Sequence, residues 1–427
     1  MTLRLTKRLK VYRKFQIGFV EKKILKWFAT PERMKDAAER GVGSAEFPEK
    51  ANKRRLWFHA ASVGELESLW SVISEFAETD GEIILSVFSE SANVHVQRLA
   101  RSIAQKPAKV LYAGYSPWEG GWQAALTRVK PDGFVTSKYE AWPELWASLG
   151  LDGIPLFIVG AKERSSLRIA KKICLALGAP LPRMHLLSQT EKSCTELMKL
   201  FPAAEVKCEN DPRWDRVAQR ASEVNERVGE LRRTFAQLPR PWGVFGSAWS
   251  TDIAFWKAAG PPPSAGTLWI VPHKIDSKSL VEIEVLLRDW GLTPVRSSHG
   301  SRISGQSCVL VDEMGFLSEL YSLADWAFVG GGFGAGVHST IEPAIQGIPV
   351  GCGPNGATKF DEIEEMRTTG QLKLLKSTQE LLGWVNLVVL DNPSARELWR
   401  QQSRKRLGVA VRVLKFILDR NKVSGIL

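Results

Sequence analysis

From Leu56 onward the chain repeats one pattern: a short apolar run, a small or polar turn, then a stretch of helix length. The runs are Leu56–Ala60, Ile83–Phe88, Val110–Tyr112, Gly133–Val135, Leu156–Val159, His185–Ser188, Trp242–Phe245, Leu268–Val271, Val309–Val311, Trp326–Val329 and Pro349–Gly351. Between them lie segments such as Glu65–Glu78 and Ser277–Trp290. Repeated strand-then-helix order means an α/β fold with mostly parallel sheets, whose sites open at the C-terminal ends of the strands. A charged, strand-poor stretch from Val217 to Arg240, bounded by Pro239 and Pro241, separates two such series. The pattern predicts a basic amphipathic helix over residues 1–30, a first Rossmann-like domain over 31–218, a linker over 219–238, a second such domain over 239–394, and a basic C-terminal helix over 395–427. At 427 residues the length suits two domains.

The net charge of +12 invites an anionic partner, and its distribution narrows which one. Residues 1–30 hold nine basic side chains against Glu21 alone, and the stretch from Arg396 holds nine against two acids, leaving the body slightly acidic. A near-neutral body without a basic, aromatic-studded sheet argues against nucleic acid. Leu5, Leu9, Tyr12, Phe15 and Phe19 recur at three- or four-residue steps among the N-terminal lysines and arginines. That is the pattern of a helix lying in a membrane interface beside anionic headgroups; an amphipathic helix docked on the domain with a solvated basic face is the other reading. No run approaches the ~18 apolar residues of a spanning helix. The five cysteines are odd in number, scattered and without CxxC pairing, which argues for a reducing compartment and against a disulfide framework. The six histidines form no metal-binding pair, so no metal site is indicated.

The sharpest local signal follows Trp326–Val329: Gly330-Gly331-Gly332-Phe333-Gly334-Ala335-Gly336, then Val337-His338-Ser339-Thr340-Ile341-Glu342. Glycines permit a tight turn or close approach to a ligand. Ser339 or Thr340 can open a helix whose free amides meet an anion, with Glu342 in its first turn able to accept from a ribose diol. A purely structural glycine turn is the alternative. In the first series, Ala61-Ser62-Val63-Gly64-Glu65 places Glu65 where strand passes to helix. It can take a proton from an attacking hydroxyl, or it can simply stabilise the helix start.

These segments, with Glu39-Arg40-Gly41, Glu140-Ala141-Trp142-Pro143, Gln189-Thr190-Glu191, Asp211-Pro212-Arg213-Trp214-Asp215-Arg216-Val217, Gly246-Ser247-Ala248-Trp249 and Gly353-Pro354, resemble in type and order the 3-deoxy-D-manno-octulosonic acid (Kdo) transferases. The resemblance implies a GT-B fold of two Rossmann-like domains across a cleft, acceptor on the first and nucleotide on the second. It implies an inverting, metal-independent transfer of Kdo from CMP-Kdo to a lipid A precursor at the cytoplasmic face of the inner membrane, with no cofactor. By position, Glu65 matches the general base, while Glu140 and Arg213 match residues that position or stabilise the transition state. Pro272-His273, Met314-Gly315-Phe316 and Ser339-Thr340-Ile341-Glu342 match segments that hold CMP, with Gly331 and Gly332 in the phosphate loop. The last helix would bring both basic ends to the acceptor half.

Several positions depart from the family pattern. Lys138 stands where many members have a first acid, Glu144 where Asn is usual, Gly160-Ala161-Lys162 where Asn-Ala-Arg is usual, and His338-Ser339 where His-Asn is usual. The acid expected after Tyr112 is absent, with only Glu119 nearby. Most of these changes fall in the acceptor half. They leave open a GT-B transferase of altered donor or acceptor, or a degenerate homologue that binds nucleotide or lipid without turnover.

Overall fold

The computed structural model describes residues 41–420 apart from 51, 118–120, 139, 264, 300–306 and 389–391, so the amphipathic segment expected over residues 1–30 lies outside the described residues, as do Glu39 and Arg40. The described chain divides into two units. One runs to Arg216 and resumes at Gly408; the other is Val217–Leu407.

In unit 1 the elements are β1 (Arg55–Ala60), α1 (Val63–Ala77), β2 (Glu82–Val87), α2 (Glu90–Ser102), β3 (Lys109–Tyr115), α3 (Trp122–Val129), β4 (Gly133–Ser137), α4 (Pro143–Asp152), β5 (Leu156–Val159), α5 (Ser165–Ala176), β6 (Met184–Ser188), α6 (Glu191–Leu200), β7 (Glu205–Cys208) and the start of α7 (Arg213–Ser222), whose residues from Val217 belong to unit 2. Its sheet has the order β3-β2-β1-β4-β5-β6-β7, every pair parallel. All six residues of β1 are buried. Leu56 and Phe58 join α1 in one core, while Trp57 joins α3 and α4 in the other. A strand covered on both faces needs the continuous apolar run that made it readable.

Unit 2 contains α8 (Glu226–Thr234), β8 (Trp242–Ala248), α9 (Ser250–Ala259), β9 (Thr267–Pro272), α10 (Ser277–Asp289), β10 (Thr293–Arg296), β11 (Ser307–Leu310), α11 (Leu317–Leu320), β12 (Trp326–Val329), α12 (Ile341–Ile345), β13 (Val350–Cys352), α13 (Asp361–Thr368), β14 (Leu372–Leu374), α14 (Thr378–Val388) and α15 (Pro393–Lys405). Its sheet, β10-β11-β9-β8-β12-β13-β14, is also parallel throughout. Both sheets are doubly wound Rossmann-like sheets. Their connection order reverses between β1 and β4 in unit 1 and between β8 and β12 in unit 2, where crevices form in such sheets.

Three readings of the sequence need correction. The stretch 219–238 is not a free linker: α8 covers much of it, and Val228, Leu231, Phe235 and Leu238 are buried in the unit 2 core with Trp242 and Trp269. The basic C-terminus is two helices rather than one. Gly408, at φ +75°, separates α15, which stays in unit 2, from α16 (Val409–Arg420), which packs on unit 1. Only part of the terminal charge therefore reaches unit 1, and there Arg412 pairs with Glu209 and Arg420 with Glu205. Finally, Cys194 on α6 and Cys208 on β7 form a disulfide, Cα atoms 6.2 Å apart, because the β6-α6-β7 crossover returns the chain beside itself.

Helix α16 completes a core begun some 350 residues earlier. Its Val413 and Ile417 are fully buried among Leu69, Ile73 and Phe76 of α1. Ile417→Ala should destabilise unit 1 by about 2–5 kcal/mol, read from urea unfolding, although the site lies far from any candidate chemistry.

Candidate active site

In unit 1 the polar residues singled out by the sequence meet at the C-terminal edge of the sheet. Glu65 is the third residue of α1, and its Oε2 accepts from the Ser62 amide at 3.0 Å and the Ser62 hydroxyl at 3.2 Å. The helix-capping and chemical readings of Glu65 are therefore compatible: capping fixes the carboxylate, and both bonds end on Oε2, not Oε1. Burial, and then the negative charge of Glu140, raise the Glu65 carboxyl to about 7 against the opposing bonds from Ser62 and the charge of Lys138. Such a carboxyl is poised to exchange protons near neutrality.

Glu140 follows β4, across the switch point from Glu65, and is 5% exposed. The Trp142 indole donates to its Oε2, and His59 Nε2 of β1 lies 3.5 Å from the same oxygen. His59 is itself held through Nδ1 against the Ser86 hydroxyl at 2.9 Å, which also accepts from the Trp57 indole at 2.7 Å. The Trp142 indole bond holds Glu140, and His59, fixed through Ser86, places its ring beside the same oxygen without a hydrogen bond from Nε2. The sequence read His59 only as part of a strand, although a histidine inside an otherwise apolar run was its signal.

Arg213 is not a lone cation. Its Nε donates to Asp211 Oδ2 at 2.8 Å, Nη2 lies 2.6 Å from the same oxygen, and its backbone amide donates to Oδ1 at 2.9 Å. Gln189 Nε2 donates to Asp211 Oδ2 at 2.7 Å. Burial alone would raise the Asp211 carboxyl, but the charges of Arg213 and Lys138 and the Arg213 bonds outweigh it and hold it at about 2. Lys138, in left-handed backbone at φ 57°, is near enough to act on both Glu65 and Asp211. Asp211 and Lys138 are the residues to which the sequence assigned no role. The i, i+2 spacing of Asp211 and Arg213 at a strand exit was the available clue.

In unit 2 the glycine run leaves β12 at the other switch point. Gly331 has φ +88°, and a Cβ on Gly332 would fall 2.6 Å from the Gly353 backbone. The buried Asp252 carboxylate accepts from the Gly331 amide at 2.8 Å and the Trp249 amide at 3.0 Å, and it also bonds the Phe333 backbone. Within the expected phosphate loop, the Gly331 amide is therefore taken by Asp252. Thr340 caps α12 and Glu342 lies in its first turn, but this helix has only five residues. Phe316 is buried in the unit 2 core, whereas Met314 is 68% exposed.

His273, after β9, lies against both Trp249 and His338, with ring centroids 4.5 and 4.6 Å away; those two rings are 6.4 Å apart, and the Trp249 indole donates to His338 Nε2 at 3.2 Å. Burial lowers both imidazoles, His338 to about 4, with His273 adding to the shift there. The stack is therefore uncharged near neutrality and presents flat aromatic faces. Beside it, Trp249, Pro272, His273, Lys274 and Lys278 line a cavity of about 370 Å³, large enough for a ring and a charged group. Among the described residues no group of three or more His, Cys, Asp or Glu side chains could hold a metal ion.

A family model for 3-deoxy-D-manno-octulosonic-acid transferase (kdotransferase) matches residues 31–216. A 3-deoxy-D-manno-octulosonic acid transferase of Bordetella pertussis is 24% identical over 380 residues, covering 82% of each protein. The first half of the chain thus matches the Kdo transferase family model, and relatives named as Kdo transferases align over most of its length. A bifunctional glycosyltransferase/methyltransferase of Fusobacterium nucleatum is 25% identical over 321 residues; the match takes in 73% of this chain but only 49% of that protein, about half its length. A glycosyltransferase structure from Rickettsia africae superposes with a TM-score of 0.58 at 10% identity, over 87% of this chain and 98% of that one. That likeness shows the shared GT-B fold alone.

Two measurements check this geometry. Unfolded Glu65 ionises at its ordinary value of 4.5 and the folded residue at about 7, so folding is penalised as pH rises through that window. Glu65→Gln should therefore raise the melting temperature at pH 8 and leave it nearly unchanged below pH 4.5. Gly332→Ala should destabilise unit 2 by about 1–3 kcal/mol in denaturant unfolding, because backbone rather than a flexible side chain stands in the way.

Proposed function

We propose that this chain moves Kdo from CMP-Kdo to a hydroxyl of a lipid A precursor, with inversion and without a metal. The observation that carries the reading is the carboxylate pair Glu65 and Glu140 at the switch point of unit 1, one carboxyl raised to about 7 and the other held beside it by the Trp142 indole. In this mechanism Glu65 takes the proton of the acceptor hydroxyl as its oxygen bonds to the anomeric carbon of Kdo. The bond from that carbon to the phosphate breaks, and CMP departs. General-base help of this kind supplies about 10²–10⁴-fold in rate. Glu140 keeps the base poised, and the Asp211-held Arg213 offers a fixed cation for a carboxylate or phosphate.

For unit 2, the aromatic stack of Trp249, His273 and His338 suits a nucleobase, and Lys274 and Lys278 beside it suit the phosphate. Glu342 is assigned to the ribose, and Gly332 serves by letting the backbones pack closely. The basic segment over residues 1–30 is assigned to an anionic membrane surface at the cytoplasmic face of the inner membrane. Among the described residues no helix is long and apolar enough to cross a membrane.

The decisive assay mixes CMP-Kdo with defined lipid A precursors and reads product mass for zero, one or several added sugars. Glu65→Ala should lose at least about 100-fold in turnover while CMP binding stays within about twofold of the parent. Transfer by that variant at close to the parent rate contradicts the mechanism, and CMP binding without product on any such acceptor favours altered specificity or a non-catalytic role. Deleting residues 1–28 should weaken co-sedimentation with anionic vesicles, and salt should weaken it in the intact chain.

A further inference from the structure

Unit 2 has a second cavity, of about 530 Å³, at the edge of its sheet opposite the glycine loop. It opens where Arg240 precedes β8 and Asp325 precedes β12, and α15 closes one side. Four arginines line it, Arg240, Arg396, Arg400 and Arg404, against the single carboxylate of Asp325. Three of them, at positions 396, 400 and 404, repeat every four residues, so one face of α15 turns its charge into the cavity rather than spreading it over solvent. The basic C-terminal stretch of the sequence thus acquires a destination that the transfer reaction does not use.

Three of the arginines are held in place. Arg240 lies 4.4 Å over the Trp242 ring, donates through Nη1 to Asp325 Oδ2 at 2.6 Å, and reaches the Leu323 carbonyl through Nη2 at 3.3 Å. The same Asp325 oxygen accepts from the Trp242 amide at 2.7 Å. Arg396 donates to the Asp325 backbone carbonyl at 2.9 Å, and its Nη1 is 3.7 Å from Oδ1. Arg400 donates through Nε to the Gln346 carbonyl at 3.2 Å, and its stem passes so close to Gly347 that a Cβ there would stand 2.3 Å away. The one lining carboxylate is thus shared by two arginines and an amide, and Glu397 on α15 lies 3.9 Å from Arg400 Nη1; four guanidinium groups face two carboxylates, which leaves a surplus of positive charge in a concave wall. Converging guanidinium forks repel one another unless an anion bridges them, and their planar donors match phosphate oxygens in pairs. Concave, low-dielectric walls strengthen that attraction.

We propose that this cavity is a binding site for a phosphate-bearing ligand of at least two negative charges, separate from the nucleotide cavity at the opposite edge of the same sheet. Its size exceeds a single phosphate and leaves room for a phosphorylated sugar or a lipid headgroup.

The test measures binding of inorganic pyrophosphate to the full chain by calorimetry, and co-flotation with vesicles containing phosphatidic acid, whose phosphomonoester can carry two negative charges, against neutral phosphatidylcholine vesicles. The parent is compared with Arg400→Gln/Arg404→Gln, and with Arg404→Gln alone as a milder change at an exposed position. Charge-assisted bonds of this kind predict at least about tenfold weaker binding in the double variant. Any pyrophosphate held at the nucleotide cavity is common to all three proteins and cancels. Loss confined to pyrophosphate identifies a soluble phosphate ester, and loss confined to anionic vesicles identifies a headgroup. If folded variants bind both probes as the parent does, the proposal is wrong.

Discussion

Every strand in both sheets pairs parallel to its neighbours, so each must hand the chain to a return segment at the same edge. That single constraint assembles the candidate site. Glu65, Lys138, Glu140, Gln189, Asp211 and Arg213 span nearly 150 residues of sequence, yet each lies just beyond a strand of the first sheet. Where the winding reverses, the departing helices diverge and leave the edge open. The two features of greatest chemical interest, the carboxylate pair of unit 1 and the glycine turn of unit 2, both sit at such reversals.

The two edges use charge in opposite ways. At β1 and β4 two carboxylates are brought together in a half-dry setting, which favours keeping a proton on one of them. At β7 the chain does the reverse: Asp211 is fully ionised because Arg213, Gln189 and Lys138 surround it. Lys138 links the two regions, since its charge opposes the rise at Glu65 and supports the ionised state of Asp211. A cation where the family usually places an acid thus has a visible electrostatic role. It tempers the base without abolishing its shift. In unit 2, Asp252 spends its carboxylate on the backbone of the glycine turn, which makes that turn a rigid structural element rather than an open anion cradle.

Much of this was legible in the sequence, and what was missed has physical causes. The interior strands β1, β5 and β12 announce themselves because both their faces are buried. The strands that escaped notice are β7, β10 and β14, and all three are sheet edges, where half-exposed residues such as Glu205, Lys207 and Lys373 break the apolar run. Residues 219–238 looked like a linker because helix α8 is charged over most of its surface and buries only a narrow stripe. The glycine run was legible as a turn, but sequence spacing does not show that Asp252, 79 residues away, takes the Gly331 amide. The division of the C-terminal basic stretch turned on one residue, Gly408, and the helical period on either side of it ran on without a visible break.

The central claim is that Glu65 is a base tuned near neutrality by burial and by Glu140. Its most direct test is the pH dependence of kcat/KM for Kdo transfer in the parent and in Glu140→Gln. The account predicts a rate that rises with pH through a single ionisation near 7 in the parent, and the same limb displaced to lower pH when the Glu140 charge is removed. A limb that stays in place in the variant, or a parent rate already level from pH 5 upward, would contradict it.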